Sequence, residues 1–256
     1  IGRDAAGREI LEKLAQYQFD PADIQIDDVH PTGAVNIQLD EKGVPQFDIL
    51  SNVAYDYIQF LPQAHSEPIS KAAMIYFGSL AQRTRVGFEN IHAMINSGNP
   101  AARCFYDINL RPGCYNDTLI LKSLSASNVV KLNQEEFDKL KQIMRFEGGH
   151  KAFIQYLLGK YPLEFVSLTS GDRGSDLHTK SGIYRTGPAA VNVAEDTVGA
   201  GDAYAAMLAA GILRDWQPEE ILQRASMFAS RICEIKGAIP ESPSFYKQFK
   251  PFFGNG

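Results

Sequence analysis

The chain has 256 residues, 45% of them hydrophobic, which is enough to bury a large core and fits one α/β domain or a domain with a smaller appendage. A formal net charge of −5 argues against an extended nucleic-acid or anionic-membrane surface and favours small metabolites. Cys104, Cys114 and Cys233 are an odd, scattered set without a CxxC pair, and no apolar run reaches about 18 residues. Neither a disulfide framework, a structural zinc site nor a membrane span is therefore expected, and a cytoplasmic location is.

Residues 7–17 carry Ile10, Leu11 and Leu14 at helical spacing. Period two then takes over: Val35, Ile37 and Leu39 alternate with Asn36, Gln38 and Asp40, and Glu41-Lys42-Gly43 marks a hairpin turn. From residue 73 onward the short apolar runs AMIYFG, RCFYDINL, NVVKLN and EFVSLTSG alternate with helical stretches, the rhythm of βα units around a mainly parallel sheet. The hairpin lies outside that rhythm. The expected organisation is an α/β core of residues 1–23 and 51–256 with a small β lid of residues 24–50.

Ligands of open parallel sheets gather where strands end and loops lead into helices. DINLRPG, KLNQEE and TSGDRGS fall at such ends, and EDTVGAGDAYAAMLAAG (195–211) opens an apolar helix. In that last segment Gly199 and Gly201 allow close backbone approach, and the helix start presents unpaired N–H groups. Donors at Gly199, Ala200 and Gly201 form a predicted anion site, with the helix dipole adding a fixed positive field. Asp202 beside them is placed to accept a hydroxyl proton as that oxygen attacks phosphorus. The same stretch also reads as a capped buried helix, with Asp202 a first-turn acid and Asp196 and Thr197 fixing the turn by side-chain to backbone bonds.

Other motifs are missing. A dinucleotide fingerprint needs glycine where Tyr204 stands, Gly159-Lys160 runs into Tyr161 instead of completing a P-loop, and neither HExxH nor GxSxG occurs.

DTVGAGD (196–202) followed by a small-residue helix resembles the C-terminal signature of the ribokinase-like (PfkB) carbohydrate kinases. Segments at 1–7, 76–83, 107–112, 131–136, 169–174 and 236–240 arrive in the family's order, so the resemblance covers essentially the whole chain. It implies a three-layer α/β fold and transfer of the ATP γ-phosphoryl group to a sugar hydroxyl, with Asp202 as catalytic base and the 199–201 backbone as anion hole. It maps the NxxE element onto Asn133 and Glu136, which help place Mg2+ largely through water. Spacing alone makes those two residues a helix cap with its capping-box partner equally well.

Arg111 follows a strand and precedes Pro112, and its fork suits phosphate oxygens; a surface ion pair is the other reading. The asparagine and arginine of DINLRP look like those of fructokinases and 2-keto-3-deoxygluconate kinases, which points to a hexose or sugar acid. By resemblance Ser170, Gly171, Gly174 and Thr197 lie along the nucleotide, and Ala225, Phe228 and Gly237 on its adenine side. Some family members hold a monovalent cation such as K+ near the DTxGAGD turn, with Asp196 the natural candidate here, and paired lids in relatives suggest a homodimer. A nucleoside kinase of the same fold and a non-catalytic sugar or nucleotide sensor are the rival readings. The family's opening strand and GGxxxN segment do not occur in this sequence; a chain lacking them would have an exposed sheet position and an incomplete site, so a further N-terminal part ahead of Ile1 is expected.

Overall fold

A computed structural model of the chain describes residues 1–39, 45–187 and 195–253. The turn expected at Glu41-Lys42-Gly43 lies outside the described residues. The chain forms two compact units, one of Ile1–Glu67 and Ala81–Ser97, the other of Pro68–Leu80 and Gly98–Gly256.

In the first unit, helix α1 (Ala5–Gln16) covers most of the stretch read as helical. Its start is held by Asp4, which accepts from the Gly7 amide at 2.8 Å and from the Thr32 amide and hydroxyl at 2.7 Å each. Strands β1 (Val35–Leu39) and β2 (Pro45–Ile49) pair antiparallel with Val35 opposite Ile49, so the period-two stretch does become a hairpin. Helix α2 (Pro62–Lys71) runs on in sequence into the second unit. Helix α3 (Arg85–Ser97) begins beside a buried ion pair: Arg83 donates to both Asp56 oxygens at 2.6 and 2.7 Å and to the Leu50 carbonyl. Asp56 is buried, and the paired guanidinium supplies what its carboxylate would otherwise lose in leaving water.

The second unit is built on a six-stranded sheet. Its strands are β3 (Met74–Gly78), β4 (Arg103–Asp107), β5 (Val129–Asn133), β6 (Phe165–Thr169), β7 (Ser175–Thr179) and β8 (Ile183–Thr186), and they lie side by side in that order. The first four are parallel; β7 pairs antiparallel with β6, and β8 antiparallel with β7. Loop length decides this difference. The connection from β6 to β7 is residues 170–174, too short for the crossover of a dozen residues that a parallel pair requires.

Helices α4 (Asp117–Ser125), α5 (Gln134–Ile143) and α6 (His150–Lys160) fill the connections between β4, β5 and β6, and α7 (Ala200–Leu213) and α8 (Pro218–Ile232) follow the sheet. Strand alternation sorts the core into two faces. Phe105, Val129 and Leu177 lie in one cluster with Tyr204, Leu208, Ile212 and Leu222 of α7 and α8. The alternate positions Val130, Leu132, Val166 and Leu168 are buried, and α5 and α6 pack on β5 and β6. The second unit is thus a helix–sheet–helix sandwich, the three-layer architecture expected. Its α7 buries Ala203, Tyr204, Ala205, Met207, Leu208, Gly211 and Ile212, while Gly201, Asp202, Ala206 and Leu213 are exposed.

Candidate active site

Gly199 caps α7 with φ +82°, and a Cβ there would lie 2.6 Å from that of Ala238, so both the backbone and its neighbour call for glycine. The turn ahead of it is tied to the end of α8. The Glu195 amide donates to the Cys233 carbonyl at 2.9 Å, and Asp196 accepts from the Val198 amide at 3.0 Å and from the Gly237 amide at 3.2 Å. These backbone bonds hold the Asp196 carboxyl below its usual range.

No side chain caps α7. The Ala200 amide donates to the Thr197 carbonyl at 3.3 Å, while the amides of Gly199, Gly201 and Asp202 have no acceptor among the described residues. The Asp202 carboxylate stands exposed in the same first turn. A hydrogen-bond donor set, the positive end of a helix dipole and a proton acceptor therefore occupy one turn of chain, a combination suited to an anion with a hydroxyl beside it.

Two other strand ends are organised by one carboxylate. Asn133 and Glu136 form a reciprocal cap at the start of α5: Asn133 accepts from the Glu136 amide at 2.9 Å and Glu136 from the Asn133 amide at 2.8 Å. The second Glu136 oxygen accepts from the Leu110 amide at 2.9 Å, which anchors the loop carrying Arg111. Glu136 is 6% exposed, and burial pushes its carboxyl up. Arg111 itself is exposed, its guanidinium touching the Leu110 carbonyl at 3.3 Å.

At the end of β6, Gly171 and Gly174 both take positive φ in the turn to β7, and the Ser170 amide closes that turn on the Gly174 carbonyl at 2.9 Å. Gly237 stands against the Asp196 turn. Ala225 has no exposed surface and belongs to the α7–α8 core, and Phe228 packs edge-on against Phe249 at 4.7 Å. The structure therefore draws Asp196, Gly199, Ala200, Gly201, Asp202 and Gly237 into one turn assembly and leaves Ala225 inside the packing.

Sequence reading did not single out three residues beside this turn. Lys131 donates to both oxygens of Asp107 at 3.0 Å, and the Tyr76 hydroxyl donates to the same carboxylate at 3.0 Å. Burial raises the Asp107 carboxyl against the pull of Lys131, with the Asp202 charge adding to the rise; burial and then the Asp107 charge push the Tyr76 phenol well above its usual value. A signal was present. In RCFYD and VVKLN the charges sit two positions after Phe105 and Val129, on the face the apolar residues bury, and a charge there demands a partner.

The start of α7, with amides that lack acceptors among the described residues and a carboxylate beside them, suits an anionic ligand. The profile of the pfkB family of carbohydrate kinases matches residues 1–244, and the chain belongs to that family; it is an ATP-dependent carbohydrate kinase with a ribokinase-like fold. It is 27% identical over 257 residues to a fructokinase of Salmonella typhimurium, covering 95% of this chain and 81% of that protein. A fructokinase of Xylella fastidiosa with bound ATP superposes with a TM-score of 0.82 at 19% identity, over 98% of this chain and 84% of that one. A sugar kinase of Pyrococcus horikoshii in complex with ATP gives 0.77 at 23% identity, over 93% and 76%. Among the described residues no helix is long and apolar enough to cross a membrane.

Proposed function

We propose that the first turn of α7 is the transfer site and that the acceptor is fructose or a related hexose or sugar acid. The observation that carries the site is the exposed Asp202 carboxylate beside amides that lack acceptors among the described residues. The fructokinase relatives support the choice of sugar.

In this reading Asp202 removes the proton of the attacking hydroxyl, which makes the oxygen a better nucleophile as the bond to phosphorus forms. The amides of residues 199–201 hold the transferring phosphoryl group and stabilise the charge that builds on it, and Arg111 adds a charged fork to the phosphate oxygens. Ser170, Gly171, Gly174, Thr197 and Gly237 flank the nucleotide.

Mg2+ fits the donor set in one way. Glu136 is buried and committed to two amides, and among the described residues there is no group of three or more His, Cys, Asp or Glu that could cage a metal. An ion carried by the ATP phosphates and reached through water by Asn133 and Glu136 needs no such cage. When bound it neutralises phosphate charge. At Asp196 each oxygen has accepted one amide and retains a lone pair, which leaves room for K+. We place the assembly, a homodimer, at the β1–β2 hairpin, where Val35 is exposed.

ATP consumption measured with fructose, ribose, 2-keto-3-deoxygluconate and adenosine separates the acceptors. Turnover with fructose or the sugar acid supports the assignment; turnover with adenosine alone makes the protein a nucleoside kinase. Asp202→Asn is expected to lower kcat about a hundredfold or more while ATP affinity, measured by calorimetry, stays within about threefold. A variant with wild-type kcat would remove Asp202 from the reaction.

A further inference from the structure

The floor beneath the glycine turn is charged. On the face of the sheet that packs against α7, the apolar row of Phe105, Val129 and Leu177 gives way toward the strand ends to Tyr76, Asp107 and Lys131 on the neighbouring strands β3, β4 and β5. Lys131 is 6% exposed and Asp107 1%, so both charges have left water. The ammonium is held by two hydrogen bonds to Asp107, whose outer oxygen is held in turn by Tyr76. An ammonium has three N–H donors, and the third has no acceptor among the described residues.

Two observations connect this group to the turn. A Cβ built on Gly201 would lie 3.7 Å from Lys131 Nζ, so the ammonium sits within contact range of the first turn of α7. The charges also sense one another: Asp202 acts on both Asp107 and Tyr76, and Lys131 acts on Glu136. Asp107 pairs with the buried cation at 3.0 Å, and the carboxylates of Glu136 and Asp202 belong to the same set of interacting charges. A phosphoryl group arriving at the turn adds more negative charge to that set, and like charges crowded in a low-dielectric site repel strongly.

Stability does not account for the pair. A buried ion pair is a weak stabiliser, and a well-packed apolar pair of similar volume commonly does as well or better. We propose that Lys131 is a positioning residue of the transfer site: Asp107 and Tyr76 fix its ammonium beneath residues 199–202, where it balances the anionic charge that gathers during transfer. Lys131 acts through the turn, and Asp107 and Tyr76 act through Lys131. Tyr76 is half-exposed and rests edge-on against Phe105, so its ring has a packing role independent of its hydroxyl.

The inference rests on the transfer site proposed above, and the experiment keeps the two apart. The double variant Lys131→Met/Asp107→Leu replaces the ion pair by an apolar one. It is expected to melt near the wild-type temperature yet to show kcat reduced about a hundredfold, with KM for ATP and sugar within about threefold. Tyr76→Phe, which keeps the ring, is expected to fold normally and lose about three- to tenfold in kcat. A double variant with wild-type Tm and wild-type kcat overturns the role of Lys131. If the double variant does not fold, Tyr76→Phe decides, and unchanged kcat in that variant overturns the proposal. Wild-type protein that turns over no acceptor brings down the transfer-site reading, and this inference with it.

Discussion

Asp4 shows how much one side chain can organise. Its oxygens accept from Gly7 and from Thr32 twice, joining the start of α1 to a segment 28 residues away, and those hydrogen bonds bring its carboxyl from 3.8 to about 2. A folded-state value below the unfolded one means that the ionised form favours the folded state. The contribution is complete above the unfolded value near 3.8 and is lost as pH falls through the folded value near 2. Asp4→Asn is therefore expected to lower Tm at pH 7, with the gap to wild type closing as the pH is taken from 4 to 2; a gap constant over that window would assign the loss to shape instead of charge. At this scale Asp202 was legible because it directly follows the glycine turn in sequence. Tyr76, Asp107 and Lys131 come from three separate strands, and only their pairing in register makes them one group.

Among elements, the start of α7 and the turn after β6 both use glycines in the left-handed region, yet for different reasons. At Gly199 a Cβ meets Ala238, whereas at Gly171, with φ +59°, nothing lies within 4 Å. Alanine at Gly171 carries only the backbone penalty of about 1–2 kcal/mol. Alanine at Gly199 adds a collision with packed backbone and should cost more. Denaturant unfolding of the two variants is expected to rank Gly199→Ala below Gly171→Ala in stability, and Gly199→Ala alone should lower kcat sharply, since its turn bears the amides that have no acceptor among the described residues. Equal losses would mean the Ala238 contact relaxes freely. The Asn133–Glu136 spacing allowed either a helix cap or an ion-binding pair; the cap is formed, and its second carboxylate oxygen also anchors the Arg111 loop. That extra bond spans 26 residues and has no periodic trace.

For the whole molecule, nucleotide binding and folding are linked, because a ligand that binds only the folded chain stabilises it by mass action. ATP with magnesium at about a hundred times its Kd should add about 2.7 kcal/mol. For a chain of this size each kcal/mol moves Tm by about 2–4 °C, so a rise of roughly 5–10 °C is expected in a thermal scan. Asp202→Asn should show the same rise while having lost turnover. No shift in either protein at saturating ATP would sink the nucleotide-site reading.

The succession of apolar runs and helical stretches was enough to establish a mainly parallel sheet between helices, and the order of motifs along the chain was enough to establish the family. Both are properties of neighbours in sequence: periodicity reports which face is buried, and a turn motif carries its donors and its acid within a few residues. Folding decided what lies under that turn. A lysine in VVKLN and an aspartate in RCFYD have no partner until β4 and β5 lie side by side, and taking them out of water is tolerable only because the sheet brings them to 3.0 Å. Local chemistry could thus be read along the chain, whereas the charge balance of the site exists only in three dimensions.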